Sequence, residues 1–301
     1  MLARLPASPA VQATLAEASE ALGRDVRALD TAEALAGTTA TQLALLIAGV
    51  AAARALAAEG VGPDVVAGHS VGAFAAAVTA DVLALGDAVR AVALRGERMA
   101  AAYPHGYGMA AVIGLPERRL VPLVDEARRA GPLHLANRNA PLQTVAAGAV
   151  PALEAFCAAA RRAGAVRAER LPVAVPSHCP LLEPVARKLA AALAGIPFQP
   201  PRLAYASSGR ARLLADPGLI RDDLAANVAA PVRWHDTTVM LHERGVRLFA
   251  QMPPGTVLAD LATAAFPDAR GLALATSGLG SVAHVTRGLR AGTDRMPEPG
   301  D

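Results

Sequence analysis

Apolar positions along this chain keep two different rhythms. Residues 11–23 and the run from Thr41 to about Ala58 carry alanine and leucine at helical spacing, with Gln42 at the start of the second run. Thr39 is placed to cap that second helix. Gly60, Gly62 and Pro63 then end it, and Val65–Ala67 follows as a short continuous apolar run that reads as a buried strand. A small-residue turn around Ser70 leads into an alanine-rich helix, and another helix covers roughly Leu83–Ala102 before Pro104 and Gly106 break it. Helix, loop, strand, turn and helix in that order predict an α/β layer with a parallel sheet.

From Met109 the rhythm changes. Residues 109–115, 133–139, 143–147 and 166–175 read as strands, with helices over Glu117–Arg129 and Pro151–Ala163. This β-α-β-β-α-β order is the split pattern of a ferredoxin-like unit. Pro176–Cys179 returns the chain to the main body. Helices at about Leu182–Leu193 and Ile220–Asn227 and from Trp234 alternate with strands at 205–208 and 247–252. After a Pro-Pro-Gly turn, residues 253–255, come a helix over Thr256–Ala264, a last strand at 272–277 and a loose tail, TDRMPEPGD. The expected fold is α/β, a hydrolase-like parallel sheet core with an inserted ferredoxin-like small subdomain. Residues 1–107 and 175–301 would form the large core, and 108–174 the small subdomain.

Composition narrows the class. Hydrophobic residues make up 53% of the 301, and mean hydropathy is +0.33, yet charge or glycine punctuates every long apolar run. Arg54 interrupts the first run, and Gly68, His69, Gly72 and Asp81 interrupt the second. A buried core accounts for both better than a membrane span does. The formal net charge of +3 is dispersed, without aromatic–basic interleaving, so it predicts mild attraction for anionic ligands and no nucleic-acid footprint. Cys157 and Cys179 are too few for a disulfide framework and, with no signal peptide, predict a reducing cytoplasm. No metal-ligand spacing is present.

The chemistry-bearing stretch is VVAGHSVGA, residues 65–73. Gly68, Ser70 and Gly72 form the G-x-S-x-G pattern of a nucleophile elbow, a sharp strand-to-helix turn that lifts the serine above the sheet edge. Glycines on both sides relieve crowding in such a turn, and the following amide, on Val71, is placed to meet a developing negative charge. A serine needs a base. His69 is adjacent, but neighbours on a sharp turn diverge, so its expected role is supporting. His178 sits on a rigid turn after a strand, between Pro176 and Pro180. His284, with Asp260 or Asp268, would instead complete the order of an α/β-hydrolase triad. Arg95 lies in an apolar context, AVRAVALRG, where a guanidinium fork suits a substrate carboxylate. Cys179 is a nucleophile only if a base faces it in space.

Eight segments together carry a resemblance. They are TQLALLIAGVAAARAL (41–56), GHSVGAFAAAV (68–78), LRGERM (94–99), GMAAVIG (108–114), ANRNAPLQTVAAG (136–148), LPVAVPSHCPLL (171–182), NVAAPVRW (227–234) and FAQMPPGTVL (249–258). In these, over nearly its whole length, the chain resembles the malonyl-CoA:acyl-carrier-protein acyltransferase family, and more narrowly the epsilon subunit of bacterial malonate decarboxylase. The resemblance implies that Ser70 is the acylated nucleophile, His178 its base and Arg95 the carboxylate binder. Gln42 and Asn137 would line or brace the pocket. A backbone carbonyl near the Gln251–Gly255 turn would orient the histidine, with Asn227 supporting that region. It also implies malonyl-CoA as substrate, no tightly bound cofactor, and an acyl carrier protein with a phosphopantetheine-type arm as partner. Other malonate decarboxylase subunits would be further partners.

There are departures. Ala73 stands where many fatty-acid-synthesis members have glutamate, a form similar to the malonate decarboxylase branch. Family members begin with an apolar strand and a Gly-Gln-Gly loop that supplies a second oxyanion amide, and Met1-Leu2 resembles the segment just after that loop. The sequence thus offers the Val71 amide as half of an oxyanion site, and one lost donor costs about 3 kcal/mol at the transition state. Two rivals stay open: a serine thioesterase or esterase using Ser70 and His284, and a catalytically impaired interaction subunit.

Overall fold

The computed structural model describes residues 1–292; the expected tail at 293–301 lies outside the described residues. The chain opens with helices α1 (Pro9–Leu22), α2 (Ala32–Leu35) and α3 (Thr38–Ala58). Thr39 is not the cap of α3. Gly37 holds that position without a side-chain bond, and Thr39 instead packs on a later helix. Although α3 is long and apolar enough to cross a membrane, 67% of its most apolar stretch is buried inside the fold. It is the central helix of the main core, with Leu43, Leu46 and Ile47 fully buried.

Strand β1 (Val65–Ala67) leads through the elbow into α4 (Gly72–Thr79) and α5 (Leu85–Ala102). Next comes the smaller unit: β2 (Tyr107–Ile113), α6 (Glu117–Ala127), β3 (Leu133–Ala140), β4 (Gln143–Ala149), α7 (Val150–Arg162) and β5 (Arg167–Arg170). Its sheet order is β3-β4-β2-β5, antiparallel throughout, the arrangement expected of the split β-α-β pattern. Leu120, Leu153 and Phe156 fill its separate core.

The chain then runs through α8 (Glu183–Leu193), β6 (Ala204–Ser207), β7 (Arg212–Leu214), α9 (Pro217–Ala226) and α10 (Trp234–Glu243). It closes with β8 (Leu248–Gln251), α11 (Val257–Ala265), β9 (Arg270–Ala273) and α12 (Leu274–Ala291). The β1–β6 and β8–β9 pairs are parallel, as the α/β reading requires. The larger unit nevertheless contains two sheets, β1-β6-β7 and β8-β9, rather than one, and β7 pairs antiparallel to β6. An apolar cleft of about 810 Å³ separates β1 from β8 and reaches His69 and Val71. The strand expected at 272–277 ends at Ala273, and the apolar residues after it begin α12.

Candidate active site

The elbow is a backbone device. Ser70 adopts φ +54°, left-handed and unusual for a residue with a side chain. Gly68 makes the turn possible, because a Cβ there would lie 2.1 Å from the Ala73 nitrogen. Gly72 is different: a Cβ at that position would meet nothing within 4 Å, so only the first glycine of the pattern relieves crowding. Val71 begins the first turn of α4, where N–H groups lack intrahelical acceptors and are available to an oxyanion.

The side chains that converge on Ser70 come from distant segments. His178 Nε2 lies 2.6 Å from Ser70 Oγ, and His178 Nδ1 lies 2.7 Å from the Asn227 carbonyl. A carbonyl only accepts, so Nδ1 carries the proton and the Nε2 lone pair faces the serine. The accepting carbonyl therefore sits at the end of α9 and not at the Gln251–Gly255 turn, which corrects the expectation. Gln251 has a local role: Oε1 accepts from the Leu258 and Ala259 amides, and Nε2 donates to the Pro254 carbonyl. His178 is 2% exposed. Burial, then the positive Arg95, then His69, push its pKa down to about 3, so the imidazole is neutral at neutral pH.

Arg95 projects from α5 and is 1% exposed. It donates through Nη1 to Gln42 Oε1, while Nη2 lies 3.4 Å from both Ser70 Oγ and Asn227 Oδ1. Its Nε has no hydrogen-bond partner among the described residues. Burial lowers its pKa to about 10, which leaves the guanidinium charged at neutral pH. Gln42 is held in turn by donating to Thr38 Oγ1 at 3.0 Å and Met99 Sδ at 3.4 Å. The close packing of α5 on α3 depends on Gly96, where a Cβ would come 2.6 Å from Thr39 Cα. A fixed cation with donors to spare beside a nucleophile–base pair suits an acyl group that carries a second, anionic end.

Asn137 is not joined to this cluster by a hydrogen bond. It lies at a register shift in β3, bridged to Val232, with its Oδ1 buried and unpartnered among the described residues. Asn139, two residues on in the same ANRNAP run, carries no mark in the sequence, yet its Oδ1 lies 3.0 Å from His69 Nε2. The Trp234 ring also packs on His69 edge-to-face, with centroids 5.6 Å apart. His69 thus ties the elbow to the smaller sheet. Burial lowers its pKa too.

The hydrolase rival loses its parts. His284 is exposed on α12, Asp268 is engaged by His242 at 2.7 Å, and Asp260 accepts from Thr256. Cys179 is fully buried and donates to the Pro176 carbonyl at 3.2 Å, and burial raises its thiol to about 11. It is a packing residue and no thiolate nucleophile.

Comparison with known proteins shows what the whole chain is similar to. The acyl transferase domain family matches residues 2–285. The malonyl CoA-acyl carrier protein transacylase of Escherichia coli K12 is 42% identical over 267 residues, covering 87% of this chain and 86% of that protein. The Bacillus subtilis transacylase is 34% identical over 258 residues, covering 84% and 81%. Among solved structures, the acyl-carrier-protein S-malonyltransferase of Burkholderia pseudomallei superposes with a TM-score of 0.87 at 36% identity, covering 92% of both chains. A malonyl-transacylase in complex with a type II polyketide-synthase acyl-carrier protein superposes with a TM-score of 0.85, also at 36% identity and 92% coverage of both.

Proposed function

The chain belongs to the acyl transferase domain family, among the malonyl-CoA:acyl-carrier-protein transacylases, and from that premise we propose how its residues move a malonyl group. It is an acyltransferase that takes malonyl from malonyl-CoA and delivers it to the thiol of an acyl carrier protein. The observation that carries the mechanism is the arrangement around one hydroxyl. His178 Nε2 lies 2.6 Å from Ser70 Oγ, and the buried Arg95 guanidinium lies 3.4 Å from the same atom.

Ser70 Oγ attacks the thioester carbonyl as its proton passes to His178 Nε2. The Asn227 carbonyl accepts from Nδ1–H and stabilises the imidazolium. The Val71 amide donates to the oxyanion. The C–S bond breaks, CoA leaves with the proton from His178, and a malonyl-serine ester remains. The phosphopantetheine thiol of the carrier then gives its proton to His178 and attacks the ester. The C–O bond breaks, and Ser70 Oγ takes the proton back.

Arg95 pairs with the free malonyl carboxylate in both halves. That pairing also bears on the base. Arg95 is the second contributor to the low pKa of His178, so a carboxylate that cancels its charge raises the basicity of the imidazole. An acetyl group brings no such compensation and leaves a buried guanidinium unpaired.

Intact-protein mass after mixing with malonyl-CoA tests the reading. The expected result is a malonyl adduct that a phosphopantetheinylated carrier protein discharges and that Ser70→Ala abolishes; an adduct that survives Ser70→Ala refutes it. More narrowly, we assign the chain to malonate decarboxylase, as its epsilon subunit, on the GHSVGAFAAAV run with Ala73 after the second glycine. A malonate decarboxylase carrier subunit should then accept malonyl faster than a fatty-acid carrier, and an equal or slower rate rejects the narrower assignment.

A further inference from the structure

The carboxyl of Asp223 takes no part in these steps, yet it is 6% exposed, inside the larger unit. Asp223 lies on α9 one helical turn before Asn227, and its carbonyl accepts from the Asn227 N–H at 2.9 Å. Its Oδ1 accepts from Ser207 Oγ at 2.7 Å and faces Arg210 Nε at 3.4 Å. Ser207 Oγ in turn accepts from the Arg210 N–H at 3.0 Å. Ser207 is the last residue of β6. The next residue, Ser208, donates from Oγ to the Gly68 carbonyl at 2.8 Å, two residues before the nucleophile.

The end of β6 therefore grips two things at once. Through Ser208 it holds the strand that enters the elbow. Through Ser207 and Asp223 it holds α9, whose end presents the Asn227 carbonyl to His178 and the Asn227 side chain to Arg95. A buried junction in which Ser207 Oγ both donates to Asp223 Oδ1 and accepts from the Arg210 N–H sets direction as well as distance, which apolar packing alone does not. Burial raises the Asp223 carboxyl, while Ser207 and Arg210 oppose that rise.

We infer that Asp223 is a positioning residue for the Ser70–His178 pair, clamping α9 to β6 so that base and nucleophile share one frame. The inference rests on those two residues being the reacting pair. Its readout is the rate at which a fluorophosphonate inactivates Ser70, which needs nucleophile and base but no malonyl group. Asp223→Ala should slow inactivation by roughly ten- to a hundredfold, the scale of a small misplacement of reacting groups. It should also lower kcat with malonyl-CoA while KM holds. Asp223→Asn keeps an oxygen that accepts from Ser207 and should recover the rate to within about threefold of wild type. Ser207→Ala, which cuts the clamp and leaves the carboxyl in place, should follow Asp223→Ala even if that variant folds poorly.

Wild-type inactivation rates in Asp223→Ala or in Ser207→Ala overturn the inference. So does an Asp223→Asn variant no faster than Asp223→Ala, or an effect confined to KM. A wild-type protein that is inactivated normally but transfers no malonyl would sink the proposed function and leave this inference standing.

Discussion

Replacing Arg95 with methionine separates the acyl-selecting cation from the rest of the site. Methionine keeps much of the length and volume of the buried stem, so α3 and α5 can stay packed. It removes the only charge within hydrogen-bonding reach of Ser70 Oγ among the described residues. Deleting one partner of a buried ion pair costs about 3–5 kcal/mol. At about 1.4 kcal/mol per decade, that is roughly a hundredfold to a few thousandfold loss in the rate of malonyl-enzyme formation. Acetyl-enzyme formation should hold or rise, because a guanidinium with an unpartnered Nε no longer faces a methyl group. The assay is intact-protein mass over time with malonyl-CoA and acetyl-CoA in competition. Malonyl-over-acetyl selectivity should fall by roughly a hundredfold or more. A selectivity within about tenfold of wild type would refute the carboxylate role. Denaturant titration should show a stability loss limited to about 1–3 kcal/mol, the cost of leaving Gln42 Oε1 without the donor that Arg95 supplies. A large fall would trace the lost activity to folding instead.

Other outcomes follow from the same geometry. With His178 at about 3 in the fold, the unfolded chain, with its histidine near about 6.5, binds the proton first. The stability tied to this group should be complete above about pH 6.5 and lost as pH falls toward and through about 3, visible in urea melts across that range. Arg95→Met removes a positive neighbour and should move the acid limb of serine inactivation to higher pH. Gly68→Ala should abolish acylation because its Cβ would strike the α4 backbone, whereas Gly72→Ala, with open space around its Cβ, should retain activity within a few-fold. Gly96→Ala should lower stability by about 1–3 kcal/mol in denaturant titration, as the helices holding Gln42 and Arg95 are forced apart. Asn139→Ala should slow acylation by loosening His69, and unchanged acylation would confine Asn139 to the small sheet.

Features that depend on near neighbours are legible in the chain alone. The strand at Val65–Ala67, the elbow, the helices bearing Gln42 and Arg95 and the order of the smaller unit all follow from spacing of two to four residues or from turn chemistry. Short strands strained that rule. Residues Arg212–Leu214 gave no alternating signal, and the apolar run from Leu272 reads equally as strand or helix. Convergence over long separations belongs to the folded molecule. Ser70 and His178 are 108 residues apart and His178 and Asn227 are 49 apart, and no local period encodes such meetings. The elbow pattern marks Ser70, and the resemblance selects His178 and Arg95, but the orienting acceptor is a backbone carbonyl, which every residue has. Only the meeting of the His178 turn with the end of α9 shows that it is Asn227's. The glycine pattern divides in the same way, because whether a Cβ fits is a property of the space around it: Gly68 meets the backbone of α4 at 2.1 Å, and Gly72 meets nothing within 4 Å.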